Sequence, residues 1–107
     1  MADRDYARDA RVLRALANES RLRIIERLGS AEACVCELTE MLELDQSTVS
    51  KHLTVLKSAD IVTGVRRGNH IYYRLLAPCV LSFLDCARSV DDTEPHRADR
   101  KAPDEQA

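Results

Sequence analysis

The chain has 107 residues, 45% of them hydrophobic and 32% charged, which is enough for one folded unit and too short for two. Its formal net charge is -2, but residues 91–107 carry six acids and three bases, so residues 1–90 hold +1 and a local basic surface is compatible with the total. No apolar run approaches the ~18 residues of a membrane span, and Met1 to Asp9 lacks the apolar stretch of a secretory leader.

In chain order, residues 5–17 read as a helix with Val12, Leu13 and Leu16 on one face. Asn18 or Ser20 caps a second helix, in which Leu22, Ile25 and Leu28 share a side and which Gly29 is expected to end. Residues 31–36 form a connector. A short third helix follows over residues 37–42 with Leu38, Met41 and Leu42. Asp45 caps a fourth helix over residues 46–59, where Val49, Leu53 and Leu56 make an apolar stripe opposite Ser47, Ser50, Lys51, Thr54 and Ser58. Two strands, 62–67 and 71–75, flank a Gly68-Asn69 hairpin turn. Pro78 opens a last helix to about Val90. Residues 1–90 thus form the folded domain, and residues 91–107, polar and without periodicity, are expected to be a disordered tail.

The fold class expected is mainly α with a β-hairpin. A short helix, a tight turn and a helix with a polar outer face make a helix-turn-helix, and the hairpin after it makes a wing. The second helix of such a unit enters the major groove by its N-terminal end. Gln46, Ser47, Thr48, Ser50, Lys51 and His52 lie there, and Gln, Ser and Thr can reach base edges or phosphates. Arg66, Arg67, Asn69 and His70 stand at the wing tip, where cations can meet phosphate. Double-stranded DNA is the expected partner.

Four cysteines in a chain expected to be cytoplasmic should be reduced, and a structural disulfide is disfavoured. Cys34 and Cys36 are too close in sequence to look like a disulfide staple. In an extended connector, residues two apart point the same way, so both sulfurs can reach one soft ion. The helix that follows favours thiolate over thiol. Cys79 and Cys86 lie seven apart on the last helix, share a face about 10 Å apart, and cannot both bind one ion. An enzyme of thiol-redox type would need a Cys-x-x-Cys motif or a Cys beside a base. The spacing is Cys-x-Cys, and the only histidines are His52, His70 and His96, so no enzymatic activity is expected.

Three segments resemble the ArsR/SmtB metal-sensing repressors: Ala17-Asn18-Glu19-Ser20-Arg21-Leu22-Arg23-Ile24-Ile25, Asp45-Gln46-Ser47-Thr48-Val49-Ser50-Lys51-His52-Leu53, and Arg66-Arg67-Gly68-Asn69-His70-Ile71-Tyr72-Tyr73-Arg74-Leu75. The resemblance covers roughly residues 10–88. It implies a winged helix-turn-helix homodimer built through the first and last helices, an operator of two-fold symmetry, and release of DNA when an inducer binds. The family's thiolate box, Cys-Val-Cys-Asp-Leu-Cys, reads here Cys34-Val35-Cys36-Glu37-Leu38-Thr39. The resemblance therefore implies arsenite or antimonite at Cys34 and Cys36, with Thr39 replacing the third thiol and Cys79 or Cys86, from either subunit, as substitute. Two sulfurs alone suit an organoarsenical. The cadmium and lead branch adds thiols from an N-terminal arm, and no cysteine precedes Cys34. The zinc and nickel branch places Asp, His, His and Glu on the last helix, where this chain has Asp85 and, beyond it, His96. The alternatives are a cadmium- or lead-responsive repressor, and a repressor of the same fold sensing oxidants or persulfide through its thiols.

Overall fold

The structure is a computed structural model, and it describes residues 5–92. The elements run α1 (Tyr6–Leu16), α2 (Glu19–Ser30), β1 (Ala33–Cys34), α3 (Val35–Leu42), α4 (Gln46–Ser58), β2 (Val62–Arg67), β3 (His70–Leu75) and α5 (Cys79–Asp92). This is the winged helix-turn-helix that the pattern predicts, mainly helical with one small antiparallel sheet.

Local chemistry places the helix starts. Asp5, Asn18 and Asp45 each accept a backbone N–H from the first turn of α1, α2 and α4. The apolar faces read from sequence meet in one core that also takes in Ile24, Ile61 and Val62: with Ile25, Leu28, Leu38, Val49, Leu53 and Leu56, all are buried. Between α3 and α4 the chain reverses at Glu43, whose φ of 57° closes α3 in the left-handed region. Gly68, at φ 63°, makes the hairpin turn of the wing.

Two expectations are corrected. Gly29 lies inside the last turn of α2 and does not end it. Its missing side chain answers to α5: a Cβ there would stand 2.6 Å from Leu81 Cδ1. The connector is not extended through residue 36. Ala33 and Cys34 form a third strand, giving the order β1-β3-β2, and α3 begins at Val35, earlier than the spacing suggests.

The last helix extends to Asp92, past the expected end at Val90. The rest of the expected tail, residues 93–107, lies outside the described residues. Among the described residues no helix is long and apolar enough to cross a membrane.

Candidate nucleic-acid interface and cysteine site

The polar face of α4 is built from its cap outward. Asp45 accepts the Thr48 N–H at 3.2 Å, the Thr48 hydroxyl at 2.6 Å, and the Ser47 hydroxyl. These bonds, the Ser47 one foremost, hold the Asp45 carboxyl well below the ordinary carboxylate range. Gln46, Ser47, Ser50 and Lys51 are exposed on this face, and Thr48 is half-buried beside them. His52 differs. It is half-buried, and its Nδ1 lies 3.1 Å from Arg21 Nη1 at the start of α2. Burial, and then the Arg21 charge, lower its pKa from 6.5, so it is held neutral and turned toward the protein.

The wing is a regular antiparallel ladder from Val62 opposite Leu75 to Arg67 opposite His70. Arg66, Asn69 and His70 are exposed around its tip. Arg67 is also exposed, but it is engaged: it forms a forked ion pair with Glu32, and its guanidinium carbon lies 5.2 Å from the centre of the Tyr72 ring. The ion pair lowers the Glu32 pKa and raises that of Arg67, chiefly through the side-chain hydrogen bond.

Cys34 and Cys36 are joined as a disulfide, which overturns the expectation of two separated, reduced thiols. The reason is the bend. A chain extended through both residues would set their Cα atoms about 6.6 Å apart or more. Here Cys34 is extended (φ -84°, ψ 165°) and Cys36 is already helical, so the Cα atoms stand 5.3 Å apart, well inside disulfide range and not at its upper edge. The two sulfurs have different surroundings. Cys34 is 4% exposed, pairs with Tyr72 across the β1–β3 ladder, and is the N-cap of α3. Its Sγ accepts the Glu37 N–H at 3.4 Å, and Glu37 Oε1 in return accepts the Cys34 N–H at 2.9 Å, a capping box with sulfur in the place of a hydroxyl. Cys36 is exposed and faces a cavity of about 360 Å³ that Gln46 and Ser50 of α4 and Asn69 and His70 of the wing also line.

Thr39, at the position of the third thiol, has a buried hydroxyl oxygen without a hydrogen-bond partner. Cys79 and Cys86 are free and exposed on α5, which packs against α2. Among the described residues no three His, Cys, Asp or Glu side chains converge on one metal position. Sequence reasoning missed the Glu32–Arg67 pair, the Arg21–His52 contact and β1. All three join residues far apart in sequence, and none leaves a local pattern.

Residues 18–63 match the model of the bacterial regulatory protein, arsR family. The chain is 46% identical over 67 residues to the arsenic resistance transcriptional regulator ArsR1 of Pseudomonas putida, spanning 60% of this chain and 51% of that one. In general it spans about half the length of the curated relatives it matches first. Among solved structures, HlyU of Vibrio cholerae superposes with a TM-score of 0.70 at 31% identity, covering 78% of this chain and 94% of HlyU. The homodimeric winged helix-turn-helix DNA-binding domain Mb0332 of Mycobacterium bovis gives 0.73 at 29% identity, covering 91% and 95%. With the helix-turn-helix matched by the family model over residues 18–63, and 34% identity to an arsenical resistance operon repressor of Staphylococcus aureus over 67% of that protein's length, the chain belongs to the arsR family of bacterial transcriptional regulators.

Proposed function

We propose that this protein is a homodimeric transcriptional repressor whose hold on its operator is set by the Cys34–Cys36 pair, and that the reduced pair releases DNA on chelating a trivalent arsenical. The observation that carries this reading is the shared cavity: Cys36 faces the same space as Gln46 and Ser50 of the reading helix and Asn69 and His70 of the wing. A ligand on the sulfurs changes the surface that must meet DNA. Arsenic is favoured over a hard cation because the Cys34–Cys36 pair offers soft sulfur donors, and among the described residues no cluster of three or more His, Cys, Asp or Glu offers a harder site. A two-sulfur chelate suits an organoarsenical fully, and arsenite with its third position filled from elsewhere. The arsenic resistance regulator among the relatives supports the same choice.

Dimerisation is supported by apolar side chains left on α1 and α5, with Tyr6 73% and Phe83 50% exposed. A two-fold dimer would set its reading helices in successive major grooves, about 34 Å apart. The protein then acts by binding, without enzymatic turnover.

A second reading has its own support. The disulfide itself favours oxidation of the pair as the signal.

The test is operator release followed by fluorescence anisotropy. The complex of reduced protein is titrated with arsenite, antimonite, methylarsenite, cadmium, lead, zinc and peroxide, for wild type and Cys34→Ser. Release by trivalent arsenicals, lost in the variant, is expected. Release by cadmium or lead alone means a divalent-metal sensor, and release by peroxide alone means the redox reading.

A further inference from the structure

The two sulfurs of the disulfide are not equivalent. Cys34 is buried between β3 and the first turn of α3 and accepts the Glu37 N–H, whereas Cys36 is exposed and faces the cavity. An incoming nucleophile therefore meets Cys36, and the sulfur it displaces is Cys34. We propose that Cys36 is a site of reversible S-thiolation by a small-molecule thiol, whose tail lies in the cavity between α3, α4 and the wing. The inference rests on the DNA-binding reading above for its consequence, but not for its chemistry.

The step balances without a further oxidant. A thiolate attacks Cys36 Sγ and forms a new S–S bond, the Cys36–Cys34 bond breaks, and its electron pair leaves on Cys34 Sγ. That anion is received by the Glu37 N–H, at the positive end of α3. A leaving thiolate stabilised in this way departs faster. The reverse attack by Cys34 on Cys36 expels the small thiol and restores the disulfide, so the modification is reversible.

The cavity selects the tail. At about 360 Å³ it lies at the small end of ligand pockets, open enough for a tail of peptide size to protrude. Its lining residues with polar side chains besides Cys36 are Gln46, Ser50, Asn69, His70 and Tyr73, and none of its lining residues is a carboxylate. Carbonyl and carboxylate groups find donors there, and a cationic tail finds no counter-charge. A thiol seated there stands between the residues placed to read bases and those placed on the wing.

The experiment uses the full oxidised chain, after its affinity for a family-type operator duplex has been measured. Reduced glutathione is added, free thiols are blocked with N-ethylmaleimide, and fragment-ion mapping distinguishes Cys34 and Cys36 from the exposed Cys79 and Cys86. The expected result is glutathione on Cys36, maleimide on Cys34, and operator affinity lowered about tenfold. Cysteamine, a cationic thiol, should give several-fold less adduct at equal thiolate concentration. Because the adduct can be expelled by Cys34, Cys34→Ser is treated in parallel with oxidised glutathione. There the Cys36 thiolate attacks the glutathione disulfide, gains one glutathione and releases the other as thiolate. This should run about tenfold faster than modification of Cys34 in Cys36→Ser. Adduct on Cys34, equal rates in the two variants, equal yields from the two thiols, or a Cys36 adduct that leaves operator affinity unchanged would each overturn the proposal. If neither the oxidised nor the reduced protein binds the duplex, the repressor reading fails, while the mapping still decides the site of modification.

Discussion

Cys34 faces Tyr72 across the β1–β3 ladder, so one residue both caps the first helix of the helix-turn-helix and holds the inner strand of the wing. A change at the sulfur has two short routes to the DNA-facing surface: through α3 onto α4, and through β1 into β3. Hydrogen exchange compared between oxidised, reduced and methylarsenite-treated protein should differ first at the amides of Tyr72, Tyr73 and the first turn of α4. Those of α1 should stay unchanged. Differences confined to α5 would place the responsive element elsewhere.

Glu32 holds Arg67 in a forked ion pair at the wing. The pair is solvent-exposed, with side chains 38% and 53% accessible, so its loss should leave the melting temperature within about 2 °C of wild type. Glu32→Gln frees the guanidinium. Its plot of log affinity against log salt should steepen by about one unit if Arg67 then takes a phosphate. An unchanged slope would mean that Arg67 stays on Tyr72 when DNA is bound.

Asp45 gives a pH signature. Folding lowers its pKa below 3.8 through the bonds from Ser47 and Thr48. Its contribution to stability is therefore present above pH 3.8 and is lost as pH falls through the lower, folded value. Asp45→Asn keeps the cap but does not titrate, and its melting temperature should fall less steeply between about pH 4 and pH 2. Asp45→Ala should melt roughly 5 °C below wild type at pH 7 and lose operator affinity, because the start of α4 frays. Circular dichroism melts across this pH range decide both.

Arg21 ties three segments together. Its Nε donates to the Ala15 carbonyl at 2.7 Å, its Nη2 to the Arg14 carbonyl at 3.3 Å, and its Nη1 lies at 3.1 Å from His52. Arg21→Ala should cost about 1–3 kcal/mol, because two carbonyls at the end of α1 lose their donor. It should also raise the His52 pKa part of the way toward 6.5, since burial, the larger cause of the lowering, remains. A lowered pKa means that wild type is favoured above pH 6.5 and loses that margin as pH falls through the folded value. The variant should show a flatter stability profile there. Titration of the His52 ring by NMR reads the shift directly.

Much of this architecture is legible because it is periodic. The stripe of Val49, Leu53 and Leu56 and the alternation of Ile71, Tyr73 and Leu75 announce α4 and β3 from the residues alone. The two residues of β1 carry no period and become a strand only because β3 offers an edge. Gly29 reads as a stop by local rules, and the reason it is not one is Leu81 on another helix. Cys34 and Cys36 could be singled out from their spacing, but their joining depends on where the helix begins, and element boundaries are the weakest part of any sequence reading.

The hydroxyls of Ser47 and Thr48 each have one proton, and both protons are already given to Asp45. What these residues turn outward is lone pairs. Phosphate oxygens have none but lone pairs themselves, so Ser47 and Thr48 are poor backbone anchors while the cap is intact. Suitable partners are the amino groups of the major groove, on adenine and cytosine. The acid that starts the helix thus also sets the hydrogen-bonding polarity of its first turn. Selection from randomised duplexes should return half-sites with an exposed adenine or cytosine amino group opposite these two positions.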